Sequence, residues 1–343
     1  MNYNTHDFNL KLLNKTKPIM AYDGTKSFEE WQKEAESKLY ELLGMGEFTL
    51  CEDKFEILNE YNYDTYKRID FHFQSEEDCF VPASLLVPKN IKLPAPTAIC
   101  VQGHTTGMHV SLGETEFGDE KECTGDYKHV IYSDFGVRAV KEGFVALCIE
   151  QRYMGKCGRD PKEGTPDCLV NGYHTMLSLM LGRTPIGERV WDISRLIDVA
   201  EKHLSQYVDN KRLVCIGNSG GGTATFYASC LDKRIAVSVP SCAVCTYDDS
   251  ILAMFHCNCN YVPGIRKYFN MGDLCGLILP RKLIIVSGKK DEIFPIDGAV
   301  KSYETAKEMY TNFASVNDCV HLIGDEGHRS YPDLWWPVIK EMI

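Results

Sequence analysis

The chain has 343 residues, 44% of them hydrophobic and 25% charged, with a formal net charge of −11. Such a composition can bury a large core without disulfides or metal, and the acidic balance excludes nucleic acid and anionic membranes, whose recognition needs basic patches. A neutral small molecule or sugar suits it better than a polyanion.

The 15 cysteines are odd in number, and Cys100, Cys148 and Cys215 fall inside apolar runs. This is the usage of buried thiols in a reducing cytosol, not of a secreted disulfide framework. Residues 1–24 mix charged and apolar side chains, and no stretch reaches the ~20 apolar residues of a membrane span. The expectation is a cytoplasmic chain with no membrane association.

Internal repeats and low-complexity tracts are absent. Residues 27–43 read as an amphipathic helix anchored by Phe28, Trp31, Leu39, Leu42 and Leu43 and ended by Gly44. Residues 61–73 and 80–87 look like strands, the second closing at Pro88. A rhythm then begins: apolar runs at 97–102, 144–150, 213–217, 235–239, 283–287 and 320–323 are interspersed with helical patterns, the most periodic at 190–204. Unbroken apolar runs separated by helices indicate a parallel sheet covered on both faces. The predicted fold is α/β, with about eight mostly parallel strands flanked by helices. It forms one domain over 1–343, in which 1–60 are an N-terminal helical cap or extension and 61–343 the core. Three insertions, at 105–133, 153–189 and 242–280, each follow a strand. Ligands of open α/β sheets gather at the carboxyl ends of strands, so these are the expected pocket walls.

Gly217-Asn218-Ser219-Gly220-Gly221 lies between an apolar run and a small-residue helix. A serine hydroxyl attacks poorly at neutral pH unless a base is within hydrogen-bond reach and an anion orients that base. Presenting it on a sharp strand-to-helix turn demands small neighbours, and the helix dipole favours developing negative charge. The acid and then the histidine should follow in chain order. Asp291 stands just after the 283–287 run, with Glu292 and Asp297 as competitors, and His328 lies on the glycine-flanked loop after the last run. His321 falls on that run itself, while His174 and His256 lack the right topological position. Acyl transfer also needs two donors for the oxyanion: the backbone N–H of Gly220 and one from Gln102-Gly103-His104-Thr105, assigned to His104.

With these residues in view, the chain resembles the α/β-hydrolase superfamily, and within it bacterial acetyl xylan esterases and dienelactone-hydrolase-like esterases. The likeness covers roughly residues 80–343 and rests on the segment around His104, the runs at 143–159 and 181–201, the Ser219 turn, and the Asp291 and His328 loops. It implies a serine esterase with no cofactor, acting through Ser219, His328 and Asp291 with Gly220 and His104 as oxyanion donors. Small acyl groups, acetyl foremost, would be removed from carbohydrate esters. Another ester or lactone hydrolase, or a catalytically silent binding module, is the alternative. Gln102 stands where many members have histidine, and Gly220 where the hexameric acetyl xylan esterase group has glutamine. Glu150-Gln151-Arg152-Tyr153 lacks that group's Arg-Gly-Gln, so homo-oligomer formation stays open.

Gln102 and Arg152 are further candidates for the substrate pocket, and Arg183 and Arg189 share with Arg152 the choice between a substrate carboxylate and lid acids. Cys242, Cys245, Cys257 and Cys259 offer four thiolates for zinc, but the last two are one residue apart, short of the usual two to four. They read as buried small hydrophobes, and no metal is expected. The five carboxylates between Glu114 and Glu122 match no calcium-loop pattern and read as a solvated lid.

Overall fold

The computed structural model describes residues 3–104, 107–114, 132–158 and 172–343. Nine strands among them form one sheet: β1 (Phe55–Asn62), β2 (Tyr66–Glu76), β3 (Cys79–Pro88), β4 (Ala95–Val101), β5 (Val145–Ile149), β6 (Val208–Asn218), β7 (Ile235–Ser241), β8 (Lys282–Gly288) and β9 (Cys319–Gly324). Their order is β1-β2-β3-β5-β4-β6-β7-β8-β9. The pairs from β1 to β5 along that order are antiparallel, and those from β5 to β9 are parallel.

The longer helices are α1 (Thr5–Lys15), α2 (Phe28–Leu42), α3 (Phe135–Lys141), α4 (Tyr173–Met180), α5 (Pro185–His203), α6 (Gly220–Leu231), α7 (Ile296–Phe313) and α8 (Pro332–Met342). Side chains of a strand alternate between its two faces. Ile99, Leu147, Cys215 and Ile285 therefore enter a core shared with Trp31 of α2, Leu196 of α5, Phe226 of α6 and Tyr310 of α7. Their neighbours Cys100, Cys148, Ile216 and Val286 enter a second core with Phe135 of α3 and Trp335 of α8. Burial on both faces is why these strands read as continuous apolar runs. No described helix is long and apolar enough to cross a membrane.

The α2 helix starts where expected. Ser27 accepts from Glu30 N at its N-cap while Glu30 answers the Ser27 amide, and Gly44 follows in the left-handed conformation. Three boundaries differ from the sequence reading. Residues 61–73 are not one strand. The chain turns between Asn62 and Tyr66, so β1 begins inside the segment read as a cap and forms the sheet edge, nearly all exposed. Helix α5 opens at Pro185, five residues early. Thr184 caps it by accepting from Gly187 N, and its first turn buries Glu188 and Arg189, which broke the apolar pattern. Finally, the second half of the 242–280 insertion is no pocket wall: Met271, Leu274, Cys275 and Ile278 pack into the core beside α7.

Candidate active site

Ser219 stands where β6 turns into α6, with φ 55° and ψ −123°. Such a conformation costs of order 1–3 kcal/mol for a residue with a side chain, and the surroundings must hold it. The Ser219 N–H donates to Ser241 O on β7 at 2.9 Å, and Ser241 Oγ donates to Asn218 Oδ1 at 2.9 Å. The turn also presses against its neighbours. A Cβ at Gly217 would meet Gly221 O at 2.2 Å, and one at Gly221 would meet Val101 O at 2.1 Å. Only glycine fits where backbone approaches backbone this closely.

The carboxyl ends of β8 and β9 bring two loops to this serine. His328 Nε2 lies 2.8 Å from Ser219 Oγ, and His328 Nδ1 lies 2.8 Å from Asp291 Oδ2. Asp291 Oδ1 accepts from Ile293 N at 2.8 Å and Phe294 N at 2.9 Å. Burial raises the Asp291 pKa, but the bond from His328, its charge and the two amides outweigh that and hold the carboxyl below its ordinary range. Phe294 stacks on the His328 ring at 5.9 Å. Burial and the Asp291 charge push the adjacent Cys242 thiol up, which keeps it protonated. The competitors Glu292 and Asp297 are exposed. His321 bonds Ser287 Oγ at 2.9 Å, and burial lowers its pKa to about 4, the signature of a neutral packed ring.

Gly220 is the first residue of α6, so its N–H has no acceptor inside the helix. The His104 ring lies against it: a Cβ on Gly220 would stand 2.4 Å from His104 Cε1. The His104 side chain thus adjoins the residue that follows Ser219. Thr105, next in the predicted donor segment, lies outside the described residues.

Two pocket expectations change. Gln102 is fully buried, donating Nε2 to Glu150 Oε1 at 3.0 Å while its carbonyl accepts from Gln151 Nε2 at 2.5 Å. It braces the loop from beneath. Arg152 grips Asp192 with two bonds of 2.8 Å and Glu76 with another of 2.8 Å. Arg183 takes the same Glu76 at 2.8 Å, and Arg189 is buried between Cys259 Sγ and Arg152 O. Carboxylates removed from water demand such partners, so Arg152 and Arg183 answer the protein's own acids. Of the acidic stretch, Glu114 pairs with Arg68, and residues 115–122 lie outside the described residues.

Glu150, singled out by no motif, is completely buried at the end of β5. It accepts from Gln102 Nε2, Met108 N at 2.9 Å and Lys156 N at 3.3 Å, tying the loop after β4 to the loop after β5. Burial raises its pKa to about 7. His256, set aside in the sequence for its topological position, packs on Phe294 and bonds Ser250 Oγ at 3.1 Å, and burial lowers its pKa. An acid closing an apolar run was the one signal available for Glu150.

The four cysteines do not converge. Cys242 faces Arg329 O and Asp291, and Cys245 faces Pro295 O. Cys257 and Cys259 instead meet His104.

The sequence model of the abhydrolase family matches residues 4–314. A Bacillus subtilis protein named "Putative hydrolase YtaP" is 26% identical over 247 residues, 71% of this chain and 75% of its own. Among solved structures, a Bacteroides fragilis protein described as a putative acetyl xylan esterase superimposes with a TM-score of 0.78 at 18% identity, over 97% of this chain and 85% of that one. A glucuronoyl esterase from Solibacter usitatus superimposes with a TM-score of 0.69 at 14% identity, over 95% and 96%. At such identities the structural likeness speaks for the fold, which is the α/β-hydrolase fold.

Proposed function

Because the chain belongs to the abhydrolase family, we propose that it is a serine esterase removing small acyl groups, acetyl foremost, from carbohydrate esters. The observation that carries this reading is the Ser219–His328–Asp291 relay, with both hydrogen bonds at 2.8 Å, on a turn whose strain the sheet maintains.

In the reaction, Ser219 Oγ attacks the ester carbonyl carbon and passes its proton to His328 Nε2. Asp291 holds the imidazole through Nδ1–H and stabilises its charged form. The oxyanion is met by the N–H groups of Gly220 and His104, each such donor typically worth ~2.7–4 kcal/mol. Collapse breaks the ester C–O bond, and His328 returns the proton to the leaving alcohol. Water, activated by the same histidine, then attacks the acyl-enzyme and releases the acid. A neutral acyl group is favoured over an ester carrying its own carboxylate, since Arg152 and Arg183 already serve Glu76 and Asp192.

A fluorophosphonate probe tests the nucleophile: Ser219 is expected to be labelled, and Ser219→Ala to abolish both labelling and turnover. An unlabelled but folded protein overturns the enzyme reading. Acetylated xylo-oligosaccharides, compared with p-nitrophenyl esters of rising chain length, test the substrate. A rate that climbs beyond butyrate counts against a deacetylase.

A further inference from the structure

Cys257 caps a single helical turn, Asn258–Asn260, whose Asn260 N–H returns to Cys257 O at 3.0 Å. The turn folds both cysteine side chains to one side, with their Sγ atoms 3.0 Å apart. Thr223 Oγ1 of α6 donates to Asn260 Oδ1 at 3.2 Å and fastens the turn beneath Ser219. His104 Nε2 approaches Cys259 Sγ to 3.0 Å, and the three possible ligand atoms lie within 4.8 Å of one another. Cys259 is fully buried, and the buried Met154 packs against both cysteines.

We infer that His104, Cys257 and Cys259 form a binding site for a thiophilic d10 cation, zinc(II) or copper(I), on the oxyanion side of Ser219. Two thiolates and an imidazole are the donors such ions select. Zinc–sulfur bonds of ~2.3 Å place tetrahedral thiolates ~3.8 Å apart, so the sulfurs must separate by ~0.8 Å on loading. Both thiols lose their protons when the ion binds. The guanidinium of Arg189, donating to Cys259 Sγ at 3.3 Å, favours the thiolate and supplies the outer hydrogen bond typical of such sites. The inference concerns binding and stands apart from the esterase reading.

The test uses the full chain, reduced with a phosphine and stripped of metal. Cobalt(II) is expected to bind at one equivalent, giving a near-ultraviolet thiolate-to-cobalt band and visible bands of tetrahedral strength that zinc(II) abolishes. In a parallel arm, copper(I) is offered from a coloured chelate and one equivalent is expected to transfer. Stoichiometric uptake in either arm supports the site and names its ion. Cys257→Ser and Cys259→Ser should each weaken uptake by more than ~100-fold, beyond what loss of an outer partner costs, while Cys51→Ser changes nothing. Anomalous scattering from metal-soaked wild-type crystals should peak between the three side chains, which covers serine variants that misfold. Substoichiometric uptake in both arms, bands that persist in both serine variants, or an anomalous peak elsewhere would overturn the inference.

Discussion

Asp291→Asn tests the relay at its most constrained point. Asp291 Oδ1 accepts two backbone amides, from Ile293 and Phe294, at 2.8 and 2.9 Å. An asparagine there must present its carbonyl oxygen to those amides, because its NH2 would oppose two donors. Leaving a buried donor unmet costs ~1–3 kcal/mol, so the reversed orientation loses ~2–6 kcal/mol against the single bond to His328. The NH2 is thus driven toward His328 Nδ1, which must then accept. The imidazole proton moves to Nε2, where it faces Ser219 Oγ and blocks proton acceptance. The same tautomer error in the trypsin-type triad costs ~10⁴ in kcat. A comparable loss here corresponds to ~5 kcal/mol of transition-state stabilisation. The assay is kcat on p-nitrophenyl acetate, beside the fluorophosphonate labelling rate and the melting temperature. Both rates should fall together while folding persists. A folded variant whose kcat stays within tenfold of wild type would refute the assigned roles of Asp291 and His328.

Two further substitutions probe groups that the chain uses for support. Glu150 has its pKa raised from 4.5 to about 7, which at ~1.36 kcal/mol per unit represents about 3 kcal/mol. Its folded-state value exceeds the unfolded one, so this stability is fully present below pH 4.5 and is lost as pH rises to about 7. Chemical denaturation of Glu150→Gln across that window should show a flatter pH dependence than wild type; an unchanged slope would contradict the assignment. Arg152→Ala strands the buried Asp192, while Glu76 keeps Arg183; breaking a buried ion pair from one side costs ~3–5 kcal/mol. The melting temperature should fall clearly, while KM for a neutral acetyl ester in the remaining folded protein stays close to wild type. A raised KM with an unaltered melting temperature would return Arg152 to the substrate pocket.

The contrast between these residues explains what could be read from the chain alone. Ser219, Asp291 and His328 were legible because each lies at the end of its own apolar run, and a parallel sheet brings such ends to one edge. Strand order was never needed to name them. Glu150 and Arg152 also follow such a run, yet their meaning depends on partners elsewhere. Gln102, Met108 and Lys156 decide Glu150; Glu76 and Asp192 decide Arg152. Periodicity reports whether a side chain is buried, not which distant group satisfies it, so a buried arginine and a substrate-binding arginine look alike in sequence. The late start of the predicted α5 has the same origin, since its buried first turn carries Glu188 and Arg189 in place of apolar residues.

The cysteines show the limit from the other side. Spacing grouped four thiols that the fold separates, while His104, 153 positions before Cys257, supplies the neighbour that spacing had no means to find. Placement of the second pair follows from the Ser219 turn: α6 starts at Gly220, and Thr223 in its first turn anchors the Cys257–Cys259 turn beside His104. The same strained corner that presents Ser219 therefore fixes where the thiols sit. A substitution that relaxes the Ser219 turn should disturb both sites, whereas one confined to Cys257 should leave the relay intact.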